Sequence, residues 1–486
     1  MRLEEVIKGI KILEACGDLS LEIEGVSSDS RTVRPNYLFV AIKGEKNDGH
    51  LFIEEAIKKG ASALLVERRL EGIKVPYLVV EDTKAVLGQV ASNFYGHPSK
   101  EMRLIGITGT NGKTTTTYLL ESVIAKAGFE VGVIGTVNYR WKGIEKEAPN
   151  TTPSALYLQQ LLGEMKRAGV KYVVMEVSSH ALVQKRVKGC HFDVGVFTNL
   201  SPEHLDYHKT MEEYLRAKAL LFEEVLKESE KETWAIYNVD DPKVKEVGER
   251  TVWAKRLSFG QRGDIHPLSF EEGKEGIKTL LRTPWGDLQL ICPLIGVFNL
   301  YNLMAAVGVS LALGIDREAI REGIADFKGV PGRMEKIGEA PLVIVDYAHT
   351  PDALEKVLKE LKKLTSGRLI VVFGCGGERD KTKRPLMGRI ASTFSSLVIL
   401  TSDNPRREDP LRIIEEIKEG LIDGTPYLII PDRREAIREA IRRARKDDTV
   451  LIAGKGHETY QIIGDERIPF DDRIEAKRAL EEIIWS

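Results

Sequence analysis

The sequence has 486 residues, of which 42% are hydrophobic and 30% charged, and its formal net charge is −2. This length exceeds one ordinary hydrophobic core, so we expect two to four domains. The near-zero charge argues against nucleic-acid binding, and no apolar run approaches the ~18 residues of a membrane span. The four cysteines form no C-x-x-C pair, which favours reduced thiols over zinc or disulfides. The charged N-terminal stretch does not have the pattern of a signal peptide, so we expect a cytoplasmic protein.

Short β-branched runs alternate with stretches of helical period along the chain. The runs "YLFVAI" and "ASALLVE" lie in the first hundred residues, and "NFYGHPSKEM" follows as a linker. The uninterrupted apolar runs after it, such as "KYVVMEVSS", predict a parallel sheet covered by helices on both faces. A second Gly- and Pro-rich break, "FKGVPGRMEKIGEAP", precedes a further α/β series. We therefore predict an α/β protein with three domains, at 1–98, 99–331 and 332–486, of which the second and third are doubly wound.

One helix of the third predicted domain can be read in detail. Thr350 suits its N-cap and Pro351 its first turn. An apolar stripe follows at helical spacing, formed by Leu354, Val357, Leu358, Leu361 and Leu364.

A phosphate-binding loop follows the strand "RLIGITG". Gly109 and Gly112 allow backbone N–H groups to surround phosphate oxygens, and the next helix adds its N-terminal dipole. Lys113 would reach the β- and γ-phosphates, and the Thr114 hydroxyl would bind Mg²⁺. The strict P-loop pattern has glycine where this chain has Ile107, so a surface turn that only spells Gly-Lys-Thr is the alternative. The flanking strand and helix favour a nucleotide site, although the loop alone does not select a reaction.

A series of further motifs resembles the Mur ligases and the related folylpolyglutamate synthetases. In that family the loop is spelled like "GTNGKTTTT", so Ile107 is no longer an objection. The other matching stretches, in chain order, are "NTTP", "MEVSSHALVQKRV", "FTNLSPEHLDYH", "YLRAKALLF", "GVFNLYN", "PGRME", "DYAHTPDAL", "FGCGGERDKTKRP", "DNPR" and "GKGHE". Because these motifs span all three predicted domains in order, we identify the chain as a member of the Mur ligase family.

The resemblance implies an ATP-dependent amide ligase. It is closest to the branch that adds meso-2,6-diaminopimelate to the D-glutamate of UDP-N-acetylmuramoyl-L-alanyl-D-glutamate, through an acyl phosphate, in peptidoglycan precursor synthesis. The L-lysine-adding ligase of the same step and, more remotely, folylpolyglutamate synthetase remain alternatives. A P-loop switch without ligation would not need the catalytic residues or the amino-acid pocket described next. We expect a monomer that binds no nucleic acid and does not insert into a membrane.

The resemblance also implies the catalytic and metal-binding residues. Glu176 and His204 match ligands of two Mg²⁺ ions, and Lys218 matches a lysine that CO₂ converts to a carbamate. A carbamate requires an unprotonated, buried amine, whereas a lysine on a helix is ordinarily a solvated charge. His204 and His208 are four residues apart, as in some zinc sites, but no third ligand follows at a suitable spacing.

Substrate-binding residues follow from the matching motifs. ATP would contact Gly109, Thr110, Asn111, Gly112, Lys113, Thr114, Thr115, Asn299, Asn302, Arg333, Asp346 and His349. The nucleotide sugar would contact Ser30, Glu45, Lys46 and Asn47, and its muramoyl-dipeptide part would contact Asn150, Thr151, Thr152, Ser178, Gln184 and Arg186. The added amino acid would contact Arg379, Asp403, Asn404, Pro405, Arg406, Gly454 and Glu458.

Some of these assignments have structural alternatives. Helix capping would explain Asn299 and Asn302, and a polar turn would explain the loop at 45–47. An N-cap turn would explain Asn404 and Pro405. In the "DNPR" motif, Arg406 would bind the carboxylate that distinguishes diaminopimelate from lysine, and Glu458 would bind the distal ammonium.

Overall fold

The computed structural model describes residues 1–44 and 47–484, except for the side chains of residues 206, 483 and 484. The chain divides into two units. The first comprises Met1–Pro267, Arg282–Asp287 and Tyr301–Gly323, and the second comprises Leu268–Leu281, Leu288–Leu300 and Ile324–Ser486.

A five-stranded sheet contains the apolar runs of the first hundred residues. Its strands are β1 (Glu14–Cys16), β2 (Gly25–Ser27), β3 (Tyr37–Val40), β4 (Ala61–Val66) and β5 (Tyr77–Val79). They lie in the order β1-β5-β4-β3-β2, and only β1 is antiparallel to its neighbour. The accompanying helices are α1 (Leu3–Val6), α2 (Ile53–Lys58) and α3 (Thr83–Phe94). The Asp82 side chain caps α3 by accepting a hydrogen bond from the backbone N–H of Ala85.

An eight-stranded sheet forms the centre of the first unit. Its strands are β6 (Arg103–Thr108), β7 (Val131–Ile134), β8 (Asn138–Trp141), β9 (Ile144–Glu147), β10 (Tyr172–Glu176), β11 (Val194–Phe197), β12 (Trp234–Asn238) and β13 (Lys255–Phe259). They lie in the order β13-β12-β11-β6-β10-β7-β8-β9. The strands from β13 to β7 are parallel, and β8 and β9 extend the sheet as an antiparallel hairpin.

Helices connect these strands. They are α4 (Lys113–Lys126), α5 (Ala155–Arg167), α6 (Ser179–Val183), α7 (Leu205–His208), α8 (Met211–Leu220), α9 (Leu226–Glu228) and α10 (Pro242–Arg250). The parallel register pairs Glu176 with Ile107 and Phe197 with Thr108. The carboxyl ends of β6, β10 and β11 therefore meet at one edge of the sheet, where ligands bind in folds of this kind.

A three-stranded sheet and two helices follow in the chain. These elements are β14 (His266–Gly273), β15 (Gly276–Arg282), β16 (Leu288–Cys292), α11 (Val297–Ala312) and α12 (Arg317–Ala325). The sheet has the order β14-β15-β16, and the division between the two units falls within α11.

A six-stranded sheet forms the core of the second unit. Its strands are β17 (Glu335–Glu339), β18 (Leu342–Asp346), β19 (Leu369–Phe373), β20 (Leu397–Leu400), β21 (Tyr427–Ile429) and β22 (Thr449–Ala453). The order is β17-β18-β22-β19-β20-β21, and only β17 is antiparallel. A hairpin, β23 (Tyr460–Ile463) and β24 (Glu466–Pro469), follows. The helices are α13 (Pro351–Leu364), α14 (Lys383–Phe394), α15 (Pro410–Lys418), α16 (Arg433–Arg443) and α17 (Asp472–Ile484).

The α/β prediction is confirmed, and α13 begins as the sequence indicates. The Thr350 hydroxyl accepts a hydrogen bond from the backbone N–H of Ala353, and Pro351 occupies the first turn. Leu354, Val357, Leu358 and Leu361 are buried, while Leu364 is half-buried. The predicted parallel sheets are present, and antiparallel strands extend both large sheets. The three domain boundaries stay a prediction. Across the described part of the chain, no helix is both long and apolar enough to span a membrane.

Candidate functional site

The phosphate loop lies between β6 and α4, where the sequence places it. Gly109 and Gly112 have φ values of +140° and +86°, which favour glycine. A Cβ atom on Gly109 would lie 1.9 Å from Thr198 Oγ1, and one on Gly112 would lie 2.1 Å from Asn302 Oδ1. The backbone N–H of Asn111 donates to Asn199 Oδ1 at 2.9 Å, and the Asn111 carbonyl accepts from Thr198 Oγ1 at 2.6 Å. The two residues that follow β11 thus hold the loop in shape, and the glycines of the loop are sterically required.

Lys113 and Lys218 converge on the same carbonyl of this loop. Lys113 Nζ donates to the carbonyl oxygens of Gly109 at 2.8 Å and Thr110 at 2.9 Å. Lys218 Nζ, from α8, donates to the Gly109 oxygen at 2.8 Å. Both amines therefore lie at the start of the loop, beside the Gly109 carbonyl.

Lys218 is not the solvated charge expected of an ordinary helical lysine. Only 2% of the residue is exposed, and its Nζ lies 4.5 Å from the centroid of the Tyr214 ring. Burial lowers the pKa of Lys218 well below its usual value, and the nearby Lys113 charge lowers it further. Attraction to Glu203 opposes this shift but is a smaller effect. The amine is therefore in the environment that the carbamate hypothesis requires.

Glu176 ends β10 beside the phosphate strand and is 1% exposed. Its Oε1 accepts from the backbone N–H of Thr136 at 3.0 Å, and its Oε2 accepts from Thr136 Oγ1 at 3.0 Å. Thr136 thus fixes both carboxylate oxygens, although the sequence analysis did not single it out. The signal available was its place in "EVGVIGT", directly after a buried strand.

The residues predicted to bind the muramoyl-dipeptide form one connected group beside Glu176. Thr152 Oγ1 donates to the Glu176 carbonyl at 2.9 Å and accepts from the Ser178 N–H at 3.0 Å. Arg186 donates to the Thr152 carbonyl at 2.8 Å and, through Nη2, to Gln184 Oε1 at 2.7 Å.

The remaining two members of this group are also close by. Thr151 and Thr136 hydroxyls are 3.1 Å apart, and the Tyr139 hydroxyl donates to the Asn150 carbonyl. The structure therefore brings all six predicted residues together.

His204 and His208 have different surroundings, although they are one helical turn apart. His208 is 4% exposed and its Nε2 lies 2.9 Å from Ser179 Oγ. His204 has a 46% exposed side chain, a φ of +56° and an Nε2 atom 3.8 Å from Glu203 Oε2. Among the described residues, no three His, Cys, Asp or Glu side chains are placed to hold a metal ion.

Asn299 and Asn302 lie on α11 and play different parts. Asn302 is 6% exposed and lies against Gly112 of the phosphate loop. The Asn299 side chain is 2% exposed and donates from Nδ2 to the carbonyl of Ile295 at 2.7 Å. This bond links the first turn of α11 to the residues before it, but it is not an N-cap, because the side chain donates to a carbonyl and does not accept from a helix N–H group.

Arg333, Asp346 and His349 lie in the second unit. The Arg333 guanidinium is 4.4 Å from the centroid of the Tyr347 ring, and His349 Nδ1 is 2.9 Å from the Tyr347 carbonyl. The two carboxylate oxygens of Asp346 accept backbone N–H bonds from Met334 at 2.7 Å and Ala348 at 2.8 Å. Burial raises the pKa of Asp346, and Arg333 opposes that rise. Asp346 thus orders the backbone that carries Arg333.

The predicted amino-acid pocket assembles at the carboxyl ends of β20 and β22. Asp403 and Asn404 are each 6% exposed, and Asn404 Nδ2 donates to Glu458 Oε2 at 3.0 Å. Gly454 has a φ of +116°, and a Cβ atom there would lie 2.7 Å from Asp403 Oδ2. Strands far apart in sequence therefore place these side chains side by side.

Arg406 and Arg379 border the neighbouring glycine loop. Arg406 has a φ of +53° and donates from Nη1 to the Gly377 carbonyl at 2.7 Å. Arg379 is exposed. A Cβ atom built on Gly376 would lie 3.6 Å from Arg379 Cγ and 3.1 Å from Arg406 Nη1. The buried Pro405 carbonyl would lie 1.9 Å from a Cβ on Gly377. Glycine is therefore sterically required at position 377, and both arginines lie beside Gly376.

Two buried arginines that the sequence analysis missed support this pocket. Arg433 is ion-paired with Asp472 at 2.7 Å, both with fully buried side chains, and donates to the carbonyls of Ser402 and Ala453. It therefore joins the ends of β20 and β22. Arg384 is 0% exposed and donates to the Gly376 carbonyl at 3.2 Å.

The acidic partners of Arg384 complete this support. Its Nη1 lies 3.1 Å from Glu408 Oε2 and 2.6 Å from Glu416 Oε2. Hydrogen bonding to Arg384 lowers the pKa of Glu408 to about 2. Neither buried arginine had a signal in the sequence, because each lies in a helical stretch where basic residues are usually exposed.

The predicted uridine contacts are only partly covered. Ser30 is buried, and its hydroxyl donates to Glu55 Oε2 at 2.9 Å. The Asn47 carbonyl accepts from the Gly44 N–H at 2.9 Å. Glu45 and Lys46 lie outside the described residues.

Comparisons with known proteins identify the family of this chain. Three family models match: "Mur ligase family, catalytic domain" at 22–95, "Mur ligase middle domain" at 107–310 and "Mur ligase, glutamate ligase domain" at 332–456. A UDP-N-acetylmuramoyl-L-alanyl-D-glutamate–2,6-diaminopimelate ligase of Gloeobacter violaceus is 47% identical over 465 residues, which cover 95% of this chain and 94% of the relative. The chain belongs to the Mur ligase family.

Solved structures resemble this Mur ligase along its whole length. A UDP-N-acetylmuramoyl-L-alanyl-D-glutamate–2,6-diaminopimelate ligase superposes with a TM-score of 0.74 at 35% identity, covering 100% of this chain and 99% of the other. The MurF ligase of Thermotoga maritima, solved in complex with ADP, has a TM-score of 0.65 at 22% identity and covers 96% of this chain and 100% of its own. The family assignment and the α/β fold predicted for this Mur ligase are thus confirmed, while the individual site residues stay predictions.

Proposed function

We propose that the protein is the ATP-dependent ligase that adds meso-2,6-diaminopimelate to the D-glutamate of UDP-N-acetylmuramoyl-L-alanyl-D-glutamate. The observation that carries the chemistry is Lys218, a buried amine bonded to the phosphate loop through the Gly109 carbonyl. A simple nucleotide switch would have no use for such a group. The proposed enzyme acts in the cytoplasm as a monomer.

A carboxylate is a poor electrophile and must be activated before an amine can attack it. In the proposed reaction a D-glutamate carboxylate oxygen attacks the γ-phosphorus of ATP, which gives an acyl phosphate and ADP. The amine then attacks the acyl carbon, and phosphate leaves with the former carboxylate oxygen. The protein contributes positioning and charge neutralisation, which are the main sources of catalysis in phosphoryl transfer.

Residues of the phosphate loop would bind the nucleotide. The N–H groups from Gly112 to Thr115 would surround the phosphates, since those of Thr110 and Asn111 already donate to Asn199. Lys113 would move from the Gly109 and Thr110 carbonyls to the β- and γ-phosphates. Asn299, Asn302, Arg333, Asp346 and His349 would complete the nucleotide contacts. Mg²⁺, when bound, would neutralise negative charge on the transferring phosphoryl group.

The donors proposed for Mg²⁺ suit a hard cation. They are the Thr114 hydroxyl, the Glu176 carboxylate, His204 and a carbamate on Lys218. Three of the four supply oxygen, as Mg²⁺ prefers. The two hydrogen bonds from Thr136 hold the Glu176 carboxylate in one orientation while leaving lone pairs available. For the carbamate, the neutral Nζ of Lys218 would form a bond to the carbon of CO₂ and lose a proton to water.

The other two substrates would bind to the groups already described. The connected residues from Asn150 to Arg186 would hold the muramoyl-dipeptide, and Ser30 with the loop at 45–47 would hold the uridine. In the second unit, Arg406 and Arg379 would pair with a carboxylate of diaminopimelate, and Glu458 would accept its distal ammonium. L-Lysine lacks the carboxylate beside that ammonium, so an arginine there discriminates by charge.

An assay of amino-acid-dependent ADP formation tests the proposal. The purified protein is incubated with ATP, Mg²⁺ and UDP-N-acetylmuramoyl-L-alanyl-D-glutamate, and either meso-diaminopimelate or L-lysine is supplied. ADP formation with diaminopimelate, at a kcat/KM at least about 100-fold above that with lysine, is the expected result. Formation with lysine alone contradicts the specificity, and formation with neither contradicts ligation. Arg406→Lys should reduce the preference, since lysine cannot make a bidentate carboxylate contact.

A further inference from the structure

A buried lysine lies under the amino-acid pocket and has no role in the account so far. Lys455 follows β22 and is 0% exposed. Its Nζ donates to Asn404 Oδ1 at 3.0 Å and to Glu458 Oε2 at 2.9 Å. Asp403 Oδ1 is 3.9 Å from the same nitrogen. A buried ammonium is costly unless it is paired and hydrogen-bonded, so these contacts account for its burial.

The contacts fix the orientation of the Asn404 amide. Lysine has only donors, so the Asn404 atom facing Nζ must be the oxygen. The same Oδ1 accepts the backbone N–H of Ile462 at 3.0 Å, which requires the same orientation. Nδ2 then points at Glu458 Oε2, to which it donates at 3.0 Å. The three side chains form a closed triangle in which each pair is hydrogen-bonded.

This triangle determines how Glu458 can meet a ligand. Both bonds to Glu458 end on Oε2, and neither uses Oε1. The Glu458 side chain is 19% exposed, whereas Lys455 is fully buried. Lys455 thus turns one carboxylate oxygen inward and leaves the other for an incoming cation. A charge-assisted bond of this kind orients the carboxylate.

We propose that Lys455 is a positioning residue for the added amino acid, acting through Glu458 and Asn404 on its distal ammonium. This inference rests on the proposed function for the identity of the amino acid. It assigns Lys455 no contact with the substrate. The lysine sets the orientation of the group that makes the contact, so its loss should affect only substrates that carry the distal ammonium.

Lys455→Met tests this inference, because methionine has a similar length and no charge. We expect the KM for meso-diaminopimelate to rise about 10- to 100-fold, the effect of losing hydrogen bonds to a charged group, and kcat to change less than about threefold. The KM for 2-aminopimelate, which lacks the distal amine, should equal that of the wild type. An unchanged KM for diaminopimelate, or an equal rise for both amino acids, overturns the proposal.

A double-mutant cycle with Glu458→Gln provides a second readout. If Lys455 acts through Glu458, adding Lys455→Met to Glu458→Gln should raise the KM by less than about threefold. Independent, multiplicative effects contradict the proposal. Lys231→Met is the matched control, since Lys231 is a largely buried lysine ion-paired with Asp193 at 2.7 Å in the first unit. It should leave the KM for diaminopimelate unchanged.

Two additional measurements keep the test decisive. Should Lys455→Met not fold, Lys455→Gln removes the charge but keeps a hydrogen-bond donor, and it should still raise the KM selectively for diaminopimelate; an unselective change counts against the inference. Calorimetric titration of diaminopimelate separates the inference from the proposed function. Wild-type binding without ligation rejects the function, and the Lys455→Met dissociation constant still decides the role of Lys455. Absence of both binding and ligation rejects both.

Discussion

Substitution of Lys218 by methionine gives the sharpest test of the chemistry at the phosphate loop. A solvated lysine with a pKa of about 10.4 is neutral in only about one molecule in 250 at pH 8, and each unit by which the pKa falls raises that fraction about tenfold. Burial and the Lys113 charge lower the pKa of Lys218, so far more of it is neutral and able to react with CO₂. The wild-type protein should therefore carry a carbamate at moderate pH.

Loss of that anionic group should reduce kcat by about 10²- to 10³-fold, the range measured when one preorganised electrostatic group is removed. The fold should survive, because replacing a buried amine by a thioether of similar length removes a desolvation cost. We therefore expect the melting temperature of Lys218→Met to equal or exceed that of the wild type.

Steady-state ADP formation, measured with and without added short-chain carboxylates, is the assay. A short carboxylate that takes the position of the missing carbamate oxygens should raise the kcat of the variant roughly tenfold. In parallel, ¹³C NMR with labelled CO₂ should show a carbamate signal in the wild type and none in the variant. Lys227→Met, an exposed lysine after α8, is the control and should behave as wild type. Full activity of Lys218→Met would refute the reasoning.

Three further predictions concern the loop, the pocket support and pH. Gly112→Ala should raise the KM for ATP at least about tenfold, because the added Cβ would lie 2.1 Å from Asn302 Oδ1. Gly128→Ala is the control, since Gly128 has a φ of +84° and a Cβ there would meet nothing within 4 Å. An equal change in KM for both variants contradicts the steric argument. Arg384→Met should lower the free energy of unfolding by about 1.5–3 kcal/mol in urea titrations, since it removes a buried guanidinium that is hydrogen-bonded to the half-buried carboxylates of Glu408 and Glu416; a loss below about 1 kcal/mol contradicts this. Burial lowers the pKa of His457 from 6.5 to about 3. As the pH drops from about 6.5 towards about 3, the imidazole is protonated in the unfolded chain but stays neutral in the folded protein, so the stability of the fold decreases. His457→Gln should remove up to about 5 kcal/mol of that acid sensitivity, and an unchanged pH profile of unfolding speaks against it.

Local signals were sufficient for the strands and for the phosphate loop. Continuous apolar runs such as β6 and β10 are buried on both faces, and their patterns do not depend on distant partners. Gly112 could be assigned to the phosphate loop from its position between a predicted strand and a predicted helix. The hairpin of β8 and β9 had a weaker signal in the sequence, the glycine of "WKGI". In the structure Lys142 and Gly143 both have positive φ, as in a tight type I′ turn. Its strands were overlooked because their polar, alternating residues differ from the buried runs around them.

Non-local contacts explain what the residues alone could not predict. Lys218 appears on a helix like any solvated lysine, and only the family resemblance singled it out before its burial was seen. Thr136 acts on Glu176, which lies 40 residues further on, and Lys455 acts on Asn404, 51 residues earlier. Such pairs depend on which strands are neighbours in a sheet, and one sequence does not specify that order.

Transfer of ¹⁸O from substrate to phosphate tests the central claim most directly. The D-glutamate side-chain carboxylate of UDP-N-acetylmuramoyl-L-alanyl-D-glutamate is labelled with ¹⁸O, and the complete reaction is run with ATP, Mg²⁺ and meso-diaminopimelate. Because the carboxylate oxygen attacks phosphorus and leaves with it, each released phosphate should carry one ¹⁸O atom, detected by mass spectrometry. Unlabelled phosphate released together with amide product would contradict the acyl-phosphate mechanism.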